Sequence, residues 1–337
     1  SMKIKGALLR SAIIAALGGL LFGFDTAVIS GAEGTLREVF SGTYESLSGF
    51  IGKPGSWHGF TVATALIGTI IGSILVGKPA DRYGRRRVLF ALGALYLLSA
   101  LGSALAWSWA SFVVFRFLGG LAVGGSSVVA PMYNAEISPA PFRGRMVALT
   151  QFNVVFGVLL AFTSNFIISS MELGENTWRW MFGVEALPAT AFFLLLFINP
   201  RSPRWLIANK RVEEARNVIQ RLGADTDNIE EEIQEIKDSL KAEREGPRES
   251  LFQARHMKPI MLAVAIAVFN QLSGINALMY YAPRIFVMAG FADSSAMLSS
   301  VGVGFVNLIF TMSALLSIDH FGRKNLMIAG SIGYIIS

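Results

Sequence analysis

The chain has 337 residues, 53% of them hydrophobic and 15% charged, with a net charge of +6, whereas an ordinary soluble domain carries about 25% charged residues. That balance excludes a water-soluble globular protein; 34 glycines and 25 phenylalanines fit many apolar helices whose solvent is lipid. The bases lie beside apolar runs and form no stripe on a polar surface, which excludes nucleic acid as a partner, and with no cysteine there is no disulfide, thiolate metal site or cysteine nucleophile.

In chain order, stretches of membrane-span length run over 8–31, 58–78, 88–108, 112–134, 146–170, 180–199, 259–289 and 297–318, and a ninth begins near Leu326 and stops at Ser337. Each can cross a hydrocarbon core of about 30 Å. Ser1 before Met2 reads as a scar of tag removal. The first stretch is too long for a signal-peptide core and lacks a cleavage site, so it is expected to be a retained helix.

Alternate connections carry the cations: Lys3, Lys5 and Arg10, then Arg82 with Arg85 to Arg87, then Arg143 and Arg145, then the 200–258 segment, then Arg323 and Lys324. The positive-inside rule places these, and the N-terminus, in the cytoplasm of a multi-pass protein in a plasma membrane. Between spans six and seven the composition shifts to balanced charge. Apolar residues at spacings of three and four over Arg211–Arg221 and Ile229–Leu240 predict short amphipathic helices against the base of the membrane domain. The expected organisation is an N-terminal six-helix half over 1–199, an intracellular helical linker over 200–257 and a partial C-terminal half over 258–337.

The segment Gly77-Lys-Pro-Ala-Asp81-Arg-Tyr-Gly84-Arg85-Arg86 after span two recurs as Ser317-Ile-Asp319-His-Phe-Gly322-Arg323-Lys324 after span eight. Two Asp-x-x-Gly-Arg turns six spans apart are the mark of a duplicated transporter. Glycine permits a tight turn, Asp can accept from helix N-termini, and the cations anchor the turn at lipid headgroups.

Those turns, together with Gly23-Phe-Asp25-Thr-Ala-Val-Ile-Ser-Gly31, Arg116-Phe-Leu-Gly-Gly-Leu-Ala-Val-Gly124, Ala135-Glu136-Ile-Ser-Pro-Ala-Pro-Phe-Arg143-Gly144, Trp178-Arg-Trp-Met-Phe182, Ser202-Pro-Arg-Trp-Leu206 and Gln271-Leu-Ser-Gly-Ile-Asn276, resemble the sugar porter family of the major facilitator superfamily. The resemblance runs from span one to the stub of span nine, close to bacterial proton-coupled xylose and glucose symporters and to animal glucose facilitators. It implies an all-α polytopic membrane protein, a major facilitator fold of two pseudo-symmetric six-helix halves with the second truncated in this chain.

An ionisable group at mid-span costs about 2.5 to 3.5 kcal/mol on insertion scales, so each is a functional candidate. Asp25 sits well inside span one, and Arg116 is the lone cation at a comparable position near the start of another span. Pairing would keep Asp25 ionised, and losing Arg116 would let it take a proton; a static ion pair is the alternative. In the family that this chain resembles, symporters carry Asp at this position and facilitators an uncharged residue, which favours coupling here.

Sugar recognition needs neutral donors and acceptors with an aromatic face. Span seven crowds Asn270, Gln271, Asn276, Tyr280 and Tyr281 around Ser273-Gly274, where a local break would free backbone groups for a midplane site. Asn276 and Tyr280 are four apart and share a face. Phe22, one turn before Asp25, could cover the sugar. By resemblance Gln151, Gln271, Asn276, Tyr280 and Asn307 line the site, and Glu136, Arg143, Glu185 and Arg204 join Asp81, Arg85, Asp319 and Arg323 as latches at a cytoplasmic gate. Arg201, His320 and Asn270 depart from the family pattern, which alters charge at the latches and the polar set of span seven.

His58, His256 and His320 have no second metal-ligating side chain four residues away, so no metal site is expected, and no cofactor is implied. Nucleophile-elbow, zinc-protease, Walker and dinucleotide motifs are missing, so the chain is not an enzyme. The expectation is a monomeric, proton-coupled symporter of glucose- or xylose-type monosaccharides working in a lipid bilayer by alternating access. A facilitative uniporter of the same fold is the alternative, and behind it a sugar sensor that does not transport.

Overall fold

A computed structural model describes residues 6–49, 52–139, 142–222, 229–245 and 253–336, apart from a few side chains, among them those of Asp319, His320 and Arg323. Among the described residues every regular element is helical. Among the described residues seven helical stretches are long and apolar enough to cross a membrane: Gly6–Val39, Pro54–Leu75, Arg85–Ala104, Trp109–Ile137, Arg143–Ser169, His256–Tyr280 and Asp293–Ser317.

Helix α1 (Gly6–Val39) starts the bundle, followed by the short α2 (Ser41–Ser48), then α3 (Pro54–Leu75), the turn helix α4 (Gly77–Tyr83), α5 (Arg85–Ala104), α6 (Trp109–Ile137) and α7 (Arg143–Ser169). The predicted sixth span is two pieces, α8 (Thr177–Gly183) and α9 (Ala186–Leu195), interrupted beside Glu185. Close helix crossings rest on glycine. A Cβ on Gly23 would lie 1.8 Å from the Val154 carbonyl oxygen, and one on Gly157 2.0 Å from that of Leu20, so α1 and α7 meet backbone to backbone. Gly120 and Gly124 do the same for α6 against α3.

At the basic end of the bundle, α10 (Pro203–Ala208), α11 (Val212–Leu222) and α12 (Ile229–Glu245) form the amphipathic unit that the sequence spacing predicts. Ala215, Val218, Ile219 and Leu222 of α11 and Ile229 and Ile233 of α12 are buried in the same core as Leu89 and Tyr133 of the bundle. Their spacing of three and four puts one apolar stripe inward and leaves the charges in water.

Span seven is three pieces, α13 (Ala254–Leu272), α14 (Ile275–Tyr280) and α15 (Ala282–Met288). Gly274, in the left-handed region at φ 78°, makes the first break, as the Ser273-Gly274 pair predicts. The second, at Tyr281, had no glycine to announce it. Helix α16 (Asp293–Phe321) packs on α7, where Gly304 meets Leu159 and Phe162, and α17 (Arg323–Ile336) follows. Both repeated Asp-x-x-Gly turns place their glycine at positive φ, Gly84 at 89° and Gly322 at 74°.

Candidate functional site: a buried ion pair facing span seven

Asp25 and Arg116 meet in the interior. The Arg116 guanidinium donates from Nη1 to Asp25 Oδ1 at 2.6 Å and from Nη2 to the Asp25 carbonyl at 3.2 Å, and both side chains are 2% exposed. It also lies over the Phe182 ring, 5.1 Å from its centroid. Gly119, one turn beyond Arg116 on α6, lets Ser99 of α5 close in beside the pair: a Cβ there would lie 2.3 Å from Ser99 Oγ and 3.4 Å from Asp25 Oδ1.

Glu185 closes this site from the interruption between α8 and α9. It is buried, its electrostatic neighbours are Asp25 and Arg116, and neither carboxyl oxygen has a hydrogen-bond partner among the described residues. The structure therefore sets it apart from the cluster of latch residues with which the family resemblance had grouped it. The sequence around it gives charge but not depth, and depth is fixed by where the broken sixth span packs against α1 and α5.

The span-seven cluster approaches from the other side. Tyr280 is buried with Arg116 and Asp25 as its charged neighbours, and Asn276 donates to Gln271 Oε1 at 2.7 Å. Gln271, Asn270 and Gln151 are exposed, Asn307 is half-buried with its amide oxygen 3.5 Å from Thr311 Oγ1, and Phe22 is half-buried against the core of the bundle. Tyr280 thus joins the polar surface of span seven to the ion pair, whereas Gln151, Asn270 and Gln271 face open space.

At the basic end the latch residues split into partners. Arg85 donates to Glu136 Oε1 at 2.9 Å and also pairs with Asp81 at 2.9 Å, and Ser202 donates to the second Glu136 oxygen. Arg204 pairs with Glu243 of α12, and Arg143 donates to the Ala135 carbonyl at 3.1 Å. Glu136, Arg143 and Arg204 line a cavity of about 520 Å³ with Glu231, Glu232 and Glu235. Burial and the neighbouring Glu235 push the Glu232 carboxyl above its usual range, against the pull of Arg143. Arg86 caps the end of span six, donating to the Leu196 and Phe197 carbonyls at 3.2 and 3.0 Å. The side chains of Asp319 and Arg323, the predicted counterparts in the second repeat, lie outside the described residues.

The profile of the Sugar (and other) transporter family matches residues 11–337. The chain belongs to that family. It is 39% identical to the D-xylose-proton symporter of Escherichia coli (strain K12), over 96% of this chain and 69% of that protein. It is 37% identical to the arabinose-proton symporter of Bacillus subtilis (94% and 67%) and 33% identical to the glucose transporter GlcP of Staphylococcus epidermidis (96% and 69%). The xylose transporter XylE from E. coli in a partially occluded inward open conformation superposes with a TM-score of 0.86 at 35% identity, covering 97% of this chain and 77% of that one. The same proton:xylose symporter bound to 6-bromo-6-deoxy-D-glucose gives 0.84 at 37% identity, over 98% and 73%.

As a sugar transporter the chain is a multi-pass membrane protein of the major facilitator fold. Within this fold α1, α6 and span six converge on Asp25, and span seven closes the fourth side.

Proposed function

We propose that this chain is the larger part of a proton-coupled monosaccharide symporter in which Asp25 carries the coupling proton. The single observation that carries the reading is the meeting of a fully buried carboxylate, its arginine and the polar face of span seven through Tyr280. The relatives named for proton symport of xylose and arabinose support it.

One guanidinium faces two carboxyl groups, Asp25 and Glu185, in an interior that tolerates little net charge. One carboxylate is enough to balance the guanidinium, so while Asp25 holds Arg116 the second carboxyl, Glu185, stands by as an alternative partner. A proton arriving at Asp25 weakens its hold on Arg116, and Arg116 can then turn to Glu185. Because Tyr280 touches the same field, the proton state of the pair is transmitted to the helix whose Gln271, Asn276 and Tyr280 contact the sugar. Gln151, Asn270, Asn307 and Phe22 complete that contact set, each supplying an amide or an aromatic face.

The division into an N-terminal half over 1–199, a linker over 200–257 and a C-terminal part over 258–337 belongs to this reading. The linker helices and the Arg85–Glu136–Asp81 set, with Arg143, Arg204 and the second-repeat Asp319 and Arg323, hold the basic face together when the transporter opens to the other side. The basic face is cytoplasmic, the N-terminus lies there, the membrane is the bacterial inner membrane and the protein works as a monomer among lipids.

The test is uptake of labelled xylose and glucose into proteoliposomes holding the full-length parent, with and without an inward proton gradient, beside Asp25→Asn. Gradient-driven accumulation that Asp25→Asn abolishes while sugar exchange persists is the expected result. Uptake indifferent to both gradient and substitution makes the protein a facilitator.

A further inference from the structure

On the face opposite the basic turns, Glu33 of α1 accepts two hydrogen bonds on one oxygen. His58 Nε2 of α3 donates to Glu33 Oε1 at 2.8 Å, and Arg284 Nη1 of α15 donates to the same oxygen at 2.8 Å. The three groups are unequal. The Glu33 and His58 side chains are 3% and 7% exposed, while that of Arg284 is 41% exposed. Glu33 and His58 thus form a fixed receptor in the first helices, and Arg284 is an inserted cation carried by the short last piece of span seven, beyond the break at Tyr281. All three line a cavity of about 960 Å³.

We propose that Glu33, His58 and Arg284 form a proton-sensitive clasp across the outer mouth, closed when Arg284 seats on Glu33 and loosened when His58 takes a proton. The clasp rests on the alternating-access reading above, since it needs the end of span seven to move away from α1.

The charge argument is local. With His58 neutral, Glu33 keeps one full cation, Arg284, and removing it leaves a buried carboxylate without a counter-charge, which opposes opening. With His58 protonated, two cations share one oxygen and repel each other; Arg284, the more exposed, is the one that leaves, and imidazolium alone balances Glu33 afterwards. The ring supports the same sign. His58 Nδ1 is buried with no hydrogen-bond partner among the described residues, so in the closed clasp an added proton there has no acceptor, whereas water entering an open mouth supplies one. Tyr44 of α2 packs edge-on to the His58 ring, 5.6 Å between centroids. The other charged or titratable groups facing the clasp are Arg37 and Glu38 of α1, Glu45 of α2, Tyr281 before α15 and Asp293 of α16. Tyr44 and Tyr281 stay neutral across the histidine range.

Ser30 lines the same cavity and is 5% exposed with the clasp closed. The experiment places a single cysteine at Ser30 of the full-length parent, in a background free of other cysteines. Its labelling by a membrane-impermeant maleimide is followed in oriented proteoliposomes and divided by labelling of a cysteine at the exposed Glu175, which cancels the reagent's own pH dependence. Arg284→Gln and Glu33→Gln are expected to speed relative labelling at least about tenfold, and the double variant to add little to either. Arg284→Lys, which keeps the cation, should label close to the parent and controls for misfolding. Acidification from about pH 8 to about pH 5.5 should speed labelling of the parent and leave His58→Gln unmoved. Relative labelling unchanged in both Gln variants overturns the clasp, and a parent rate flat with pH overturns its proton sensitivity. Sugar uptake measured on the same vesicles separates the two readings: uptake with unmoved labelling sinks the clasp alone, and responsive labelling without uptake sinks the transport reading and leaves the clasp as a contact that acid opens.

Discussion

The buried site makes a quantitative demand on stability that is not additive. Asp25→Asn keeps the shape and an oxygen that can accept from Arg116, and Glu185, already a neighbour of Arg116, remains to balance the cation. Its cost should be that of one weakened hydrogen bond, about 1 kcal/mol. Glu185→Gln removes a carboxyl with no hydrogen-bond partner among the described residues, and Asp25 still holds the arginine, so about 0.5 kcal/mol is expected. The double variant is different in kind. It strands a guanidinium that is 2% exposed with no counter-charge, which costs about 3 to 5 kcal/mol. The excess over the sum of the single effects is about 1.5 to 3.5 kcal/mol, roughly a ten- to four-hundredfold change in the folded-to-unfolded ratio. Reversible detergent unfolding of the full-length parent and the three variants at neutral pH measures it. Single effects that add within about 0.5 kcal/mol would mean that Glu185 does not compensate for Asp25, and the two-carboxyl account would fall.

Other positions test the packing and the linker. Gly23→Val should abolish a monodisperse elution profile, because a Cβ there would lie 1.8 Å from the Val154 carbonyl oxygen, whereas Gly34→Ala, with nothing within 4 Å, should elute as the parent does. Glu232, whose carboxyl is pushed up by burial and Glu235, favours the folded linker while it holds its proton and loses that contribution as pH rises through its folded-state value. Glu232→Gln should therefore strengthen hydrogen-exchange protection of α12 at neutral pH by about 0.5 kcal/mol, with the gain vanishing below the ordinary glutamate range. A gain that persists in acid would sink that account.

Much of the architecture was legible because membrane spans are local facts. Hydropathy over some twenty residues set the long helices, glycine at Gly84 and Gly274 set the turns, and period-three-and-four stripes set α11 and α12. The pairing of Asp25 with Arg116 was legible for a related reason: lipid tolerates neither charge alone, and each span offered a single candidate. The candidate site was less complete. Glu185 read as a latch because its neighbours in sequence say nothing of depth, and His58 read as isolated because Glu33 and Arg284 come from 25 residues before it and from another part of the bundle.

By itself the sequence determined which segments leave water, where they bend and which charges must find partners, since each follows from the solvation of a short stretch of chain. Only the tertiary structure decided which partner each charge found. That choice depends on the rotation and depth of every helix, set by backbone contacts such as Gly23 on Val154, and no window of sequence contains both sides of such a contact.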